Sequence, residues 1–298
     1  MLTSDPRCAA ESLAAAEPLA GSATTATSFL LLEERGPWGH DAWLDARLPE
    51  GLGATILQRA AAAGVRPLMI RRDRDGGLAD HGGERRLFAA SSTAGRAWLE
   101  STQINDPREL LDLDLSALGS GESLGLTPHS DSIYLVCTHG RRDRCCAELG
   151  RPLLQAVEAA APGQAWGVSH LGGHRFAGNL LILPQGLMYG RVAPSQAPAL
   201  VRAHGDGRIL AEHLRGRTSW PPPVQAAEVA LRVERNIDLE SALELLDSDD
   251  RGDHWLVTFA VSGRVHRLEV AADRSQRLRQ SCTDEAPSAV TAWTATLS

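Results

Sequence analysis

Residues 133–183, IYLVCTHGRRDRCCAELGRPLLQAVEAAAPGQAWGVSHLGGHRFAGNLLIL, decide how the rest of the chain is read. A short apolar strand over Ser132–Val136 delivers Cys137-Thr138-His139-Gly140-Arg141-Arg142-Asp143-Arg144-Cys145-Cys146. Asp143 is placed to cap a helix running to about Ala161. Pro152 should kink that helix or restart it with proline at its first position, and Pro162-Gly163 should end it. Ala165–Ser169 reads as a strand that delivers His170-Leu171-Gly172-Gly173-His174-Arg175-Phe176-Ala177-Gly178-Asn179. Leu180–Leu183 and Leu187–Val192 predict a hairpin across Pro184-Gln185-Gly186.

Three of the five cysteines fall within ten residues, and two histidines follow at a spacing of four. Thiolate and imidazole bind zinc, copper and iron–sulfur clusters. Structural zinc sites bring their first two ligands on a knuckle of about two to four intervening residues. Eight residues lie between Cys137 and Cys146, which suits a larger object than one ion. A two-iron cluster takes four protein ligands, and His can replace Cys on one iron. Cys137 and Cys146 with His170 and His174 satisfy that count. His139 competes as the second half of a Cys-x-His pair, and Cys145 competes with Cys146. Adjacent cysteines at a helix start point in different directions, so one of them should reach the site. Gly172 and Gly173 would bend the backbone between the imidazoles and leave room for the cluster. Arg141, Arg142 and Arg144 would add positive charge beside it. Arg175 and Asn179 are open to a supporting, partner-facing or purely structural role.

Outward from this stretch, residues 1–27 are Ala/Ser/Thr-rich, with one or two helical turns over Ala9–Ala16. Cys8 reads as an incidental thiol. Phe29–Leu32 predicts a buried strand, 36–43 a loop, Leu52–Ala63 a helix ended by Gly64, and Val65–Ile70 a strand. A Gly/Asp-rich turn follows at 73–83, then a strand at Arg86–Ala90. Residues 103–128 read as a connector holding a short acidic helix in DPRELLDLDL. FLLLEERGPWGHDAW thus stands where IYLVCTHGRRDRCC stands later, as an internal duplication would leave it. The same strand–loop–helix–strand order is also common without duplication. Pro198–His204 and Ile209–Leu214 predict a helical pair. GRTSWPPP, 216–223, reads as a linker or ordered wrap, on the expectation that three prolines cannot sit in a helix. Val224–Glu234 is a helix, and 253–261 with Val265–Val270 a hairpin at Gly263. Cys282 reads as structural or incidental. The units are 1–27, an N-terminal segment; 28–128, an α/β unit; 129–223, the unit with the site; and 224–298, a small α+β appendage.

With 43% hydrophobic and 22% charged residues, the 298-residue chain has the composition of an ordinary globule. A net charge of −7 argues against nucleic-acid binding. No apolar run approaches the roughly 20 residues that cross a bilayer. Acidic residues stand where a signal peptide needs a basic start, and the uneven cysteines do not suggest a secreted disulfide framework. A cytoplasmic protein without membrane association is expected.

The paired motifs C-x-H-G-x-R-D-x-C-C and H-x-G-G-H-x-x-A-G-N resemble the sucrase/ferredoxin-like family, also described as thioredoxin-like ferredoxins. Cys137, His139, Gly140, Arg142, Asp143, Cys145 and Cys146 fill the first motif. His170, Gly172, Gly173, His174, Ala177, Gly178 and Asn179 fill the second. GPWGHDA and LRGRTSWPPPVQAAE are similar to bacterial members, and the likeness extends from about residue 20 to about 235. The resemblance implies a thioredoxin-like ferredoxin fold for the second unit, within an α/β (α+β) chain. It also implies a [2Fe-2S] cluster on Cys137, Cys146, His170 and His174. No pair of carboxylates supports the sucrase half of the name.

The expected function is therefore an electron-transfer or redox protein, an oxidoreductase or a carrier without its own substrate. It would be served by a separate electron donor reductase and an acceptor. Two alternatives stand beside it. One is a thiol–disulfide oxidoreductase using Cys137, Cys145 or Cys146, against which the missing Cys-x-x-Cys counts. The other is a structural Cys2His2 zinc module. No GxGxxG follows a strand, so a built-in dinucleotide is not expected.

Overall fold

The computed structural model describes residues 7–72 and 83–297. Helix α1, Cys8–Ala14, leads by an irregular segment into strand β1, Ser28–Glu33. A short helix α2, Ala42–Asp45, is capped by Asp41, whose carboxylate accepts from the Trp43 and Leu44 amides. Helix α3 spans Leu52–Ala63 as expected, and Gly64 ends it with a left-handed φ of 70°. Strands β2, Val65–Arg71, β3, Arg85–Ser91, and β4, Trp98–Ile104, complete the first half. The turn expected at 73–83 lies, but for Gly83, outside the described residues.

Strand β4 was hidden by its polar sequence. Glu100 is buried there because its carboxylate accepts from Ser123 and from the Leu124 and Leu126 amides. The acidic stretch after it forms a 3-10 helix at Pro107–Asp112 with an Asp106–Glu109 capping box, then helix α4, Leu115–Gly119, and a two-residue strand β5, Thr127–Pro128.

The second half repeats the plan with strand β6, Ile133–Cys137, helix α5, Arg144–Ala160, and strands β7, Ala165–Val168, β8, Leu180–Leu183, and β9, Leu187–Tyr189. Pro152 sits inside a continuous α5 rather than restarting it. Helix α6 spans Ala197–Gly205. Its expected partner at Ile209–Leu214 is a single 3-10 turn, Ala211–His213, followed by strand β10, Leu214–Arg217. Gly190 N–H bonds His213 O and Ile209 N–H bonds Asp238 O, so tertiary hydrogen bonds take the groups a helix would use.

Among the described residues, ten strands form one sheet in the order β10-β9-β8-β6-β7-β2-β1-β3-β4-β5. In each half the first two strands are parallel and the next two add antiparallel beyond the first. The halves meet where β2 pairs antiparallel with β7. The order reads identically outward from that seam in both directions. Register extends the correspondence: Cys137 lies beside Val168, Val168 beside Ile70, and Ile70 beside Glu33. Glu33 therefore holds the place of Cys137, bound to Arg35 and to the Arg86 amide.

Strand alternation sorts the core. Phe29 and Leu31 share one face with Ile133, Leu135 and Cys137, in a cluster continuous across both halves. Leu30 and Leu32 pack under α3, and Tyr134 and Val136 under α5, in separate clusters.

Helix α7, Pro222–Arg235, begins with Pro222 and Pro223 after Pro221 as N-cap, against the expectation that these prolines stay outside a helix. The first-turn amides have no intrahelical acceptor, so their absence costs nothing there. Strands β11, Leu243–Asp250, β12, Trp255–Val261, and β13, Arg264–Asp273, precede a two-strand ladder of β14, Arg277–Leu278, and β15, Ser288–Ala289. Strand β16, Ala292–Leu297, then closes a four-stranded antiparallel sheet against α7. The chain is thus mixed α/β, and no helix among the described residues is long and apolar enough to cross a membrane.

Candidate metal centre

Cys137 ends β6 with its amide bonded to Asn179 O. The loop 138–143 returns the chain over that strand end, and Asp143 starts α5 by accepting from the Cys145 amide. Cys146 then lies in the first turn. Helix and strand approach closely because residue 150 is glycine: a Cβ there would stand 2.0 Å from Cys137 O. His170 follows β7, and His174 opens a 3-10 turn, His174–Phe176. Gly172 and Gly173 turn the chain between them with φ of 91° and 70°. The room they leave is taken by protein: a Cβ at Gly172 would meet Thr24 Oγ1, and one at Gly173 would meet Arg215 Nη2, each at 2.5 Å.

The four residues singled out from the sequence converge. Cys146 Sγ is 3.3 Å from His174 Nδ1. The rings of His170 and His174 stack at 4.2 Å. Hydrogen bonds from the Cys146 thiol, from His170 and from the Leu171 amide hold the Cys137 thiol well below its usual range. The same hydrogen bond to Cys137, then burial and the charge of Cys137, push Cys146 up. Burial, with the charge of His170, lowers His174 to about 4, so its imidazole is neutral at pH 7 with a lone pair to donate. The sulfurs are sealed from solvent. His170 is part-exposed and lines a cleft of about 200 Å³ with His40, Trp43, Arg66 and Arg142.

His139 is turned to other work, with Nε2 2.9 Å from Gly39 O and its ring edge-on to Trp38. The GPWG loop of the first half thus packs onto the cysteine loop of the second. Cys145 faces away from Cys146, toward Cys8. Arg141 and Arg144 are exposed, and Arg142 reaches His40 Nδ1 at 3.2 Å. Two buried cations that feel the charge of Cys137 are instead Arg66 and Arg215, which the sequence did not single out. Arg66 bonds His170 O at 3.1 Å. Arg215 bonds Gly172 O and Asn179 Oδ1, each at 2.9 Å. Burial lowers Arg66 to about 10 and Arg215 to about 9, against the pull of Cys137, so both stay charged at neutral pH. Asn179 Nδ2 also bonds Gly173 O, and Arg175 pairs with Glu17 at 2.8 Å. Asp143 was read only as a cap, yet its carboxylate lies within 4.8 Å of the donor atoms of Cys146 and His174. Two sulfurs, two imidazoles and a nearby carboxylate, backed by buried cations, make a donor set that fits a thiophilic metal.

Residues 19–216 match the family described as Sucrase/ferredoxin-like. A protein named "Altered inheritance of mitochondria protein 32" from Clavispora lusitaniae is 36% identical over 101 residues, 31% of this chain and 37% of that protein. Its namesake from Candida glabrata is 30% identical over 105 residues, 30% of this chain and 34% of that protein. The namesake from Kluyveromyces lactis is 48% identical over 54 residues, 18% of this chain and 16% of that protein. The matches thus span about a third of the relatives or less. No solved structure matches the chain.

These comparisons correct the functional expectation. The relatives are named for altered inheritance of mitochondria, not for electron transfer, an iron–sulfur oxidoreductase, disulfide exchange or a zinc module. The expectation of a redox or electron carrier is overturned with both of its alternatives. The physical reason is that converging donor atoms define what can be bound, while the use made of it depends on partners and access that side-chain spacing does not encode.

Proposed function

Because the chain belongs to the Sucrase/ferredoxin-like family, we propose that it is a metal-binding protein whose Cys137, Cys146, His170 and His174 hold the metal. The observation that carries this is the meeting of four donors from three separate segments, with Cys146 Sγ 3.3 Å from His174 Nδ1 and the two imidazoles stacked. A [2Fe-2S] cluster is the proposed occupant, and Zn²⁺ is the alternative that the same donors accept. Held by Cys137, Cys146, His170 and His174, a metal would supply the positive charge that lets both sulfurs be thiolates together. Arg66 and Arg215 hold the carbonyls of His170 and Gly172, and so fix the turn that presents both rings. A reducing compartment, the cytoplasm, belongs to the same proposal, since the thiols must stay unoxidised to bind.

Two finer readings of the fold are proposed with it. The half from β6 to β9 is thioredoxin-like, supported by its strand order and its central parallel pair. The half from β1 to β4 is a degenerate copy, supported by the matching order and by Glu33 in the place of Cys137. The relatives' name describes a cellular outcome rather than a chemistry, so the proposal stands on the site.

The test is metal and sulfide analysis of the full chain purified anaerobically, beside Cys137→Ser and His174→Ala. Two irons and two sulfides per chain are expected for the cluster, and zinc without sulfide for the alternative. Both substitutions should remove that metal. Metal content unchanged by either one overturns the proposal.

A further inference from the structure

All five cysteines gather at the start of α5, in two groups back to back. The second group takes no part in the site above. Cys8 opens α1, Cys145 lies in the first turn of α5, and Cys282 sits in the loop between β14 and β15. Cys8 and Cys282 are 274 residues apart in sequence. Their sulfurs nevertheless form a triangle: Cys8 to Cys145 is 3.7 Å, Cys145 to Cys282 is 3.3 Å, and Cys282 to Cys8 is 3.6 Å. The Asp143 carboxylate closes the figure, with its oxygens 3.7 and 3.8 Å from Cys8 Sγ. We propose that Cys8, Cys145, Cys282 and Asp143 form a second metal site, for Zn²⁺ or a similar thiophilic divalent ion.

Three observations carry this beyond a chance meeting of thiols. First, the size is right. Zinc–sulfur bonds of about 2.3 Å in a tetrahedron set neighbouring sulfurs about 3.8 Å apart, and the triangle needs only a small expansion to reach that. Second, the carboxylate is held in place by backbone amides and a hydroxyl, none of which is a metal donor. Oδ1 accepts from the Cys145 amide at 2.8 Å, while Oδ2 accepts from the Cys282 amide at 2.8 Å and Ser281 Oγ at 2.9 Å. Such outer bonds orient a ligating carboxylate. Third, the surroundings suit a closed site. Cys8 and Cys145 are buried with Ala177, while Cys282 is part-exposed and offers an entry path. Three sulfurs cannot all be satisfied by disulfides, since any pairing leaves one over. One divalent ion satisfies all three, the thiol protons passing to solvent as it binds.

The ion would tie together three remote pieces of chain: the N-terminal helix, the helix that carries Cys146, and the loop of the C-terminal region. The two sites share Asp143 but no cysteine, so cysteine substitutions separate them: each site can be emptied with the sulfurs of the other intact. The test loads the reduced, metal-stripped full chain with Zn²⁺, counts zinc, and maps alkylated cysteines by mass spectrometry. Zinc should shield Cys8, Cys145 and Cys282 from alkylation. Cys145→Ser and Cys282→Ser should each lose one zinc equivalent that Cys137→Ser retains. Cys282 is part-exposed in a loop, so its serine variant is the one least exposed to folding failure. Zinc stoichiometry unchanged in both variants overturns the site, as does equal alkylation of Cys282 with and without zinc, or a disulfide within the triangle.

Discussion

Replacing Gly150 by alanine sets two effects of known sign against each other. Alanine is the better helix former by about 1 kcal/mol, so local propensity alone predicts a more stable protein. The packing predicts the reverse. The new Cβ would lie 2.0 Å from Cys137 O and 3.1 Å from Cys137 C. Both atoms are backbone, so no rotamer change relieves the clash, and helix and strand must part by about 1 Å or more. Overpacking of this kind costs about 1–3 kcal/mol, toward the upper end where the backbone must move. The net expectation is a loss of about 1–2 kcal/mol. The displacement also falls between Cys137 and Cys146, so metal retention should drop in the same variant. Gly205, the last residue of α6, is the control, because a Cβ there meets nothing within 4 Å. Its alanine variant should be neutral or gain up to about 1 kcal/mol. Urea unfolding with unchanged m-values reads both. A Gly150→Ala protein as stable as the parent, with its metal intact, would refute the packing argument.

Two further outcomes follow from buried charge. Glu228 is fully buried and pairs with Arg217 at 2.9 Å and Arg232 at 3.0 Å; Arg217 also has Glu240 at 3.1 Å, so Glu228→Gln should cost about 3 kcal/mol in urea unfolding by stranding the buried Arg232 charge; a cost below about 1 kcal/mol would contradict this. His204, set between Ser132 Oγ at 3.0 Å and the Tyr134 ring, has its pKa lowered by burial. The unfolded chain therefore takes up that proton first, and the stability His204 confers is whole above about pH 6.5 and is lost as pH falls below it. His204→Asn should flatten the fall in stability between about pH 6.5 and 5, leaving a residue of the same sign from half-buried His129 and from buried His139 and His174; an unchanged slope would count against it.

Much of the fold was legible because its elements are set by neighbours in sequence. Leu52–Ala63 is bounded by glycines at both ends, and β1, β6 and β8 are each built on an uninterrupted apolar run of at least four residues. Strands β4 and β11 were not legible. WLESTQI and LELLDSDD owe their pairing to partners elsewhere in the sheet, so their own residues carry no clean alternation. The prolines of α7 were misread because what they disrupt depends on their place in the helix, and only the structure fixes where the helix begins.

The sequence by itself singled out Cys137, Cys146, His170 and His174 as donors, by residue type, spacing and resemblance, and placed them at strand ends and helix starts; that they meet is a tertiary fact. Only the tertiary structure decided what surrounds them. Arg66 and Arg215 come from other strands, and Cys8 and Cys282 from opposite ends of the chain; each looked ordinary where it stood. Periodicity reports which face a residue takes within its own element. Which distant faces then meet is settled by burial of the whole sheet and its helices, a sum over the chain that no short window contains.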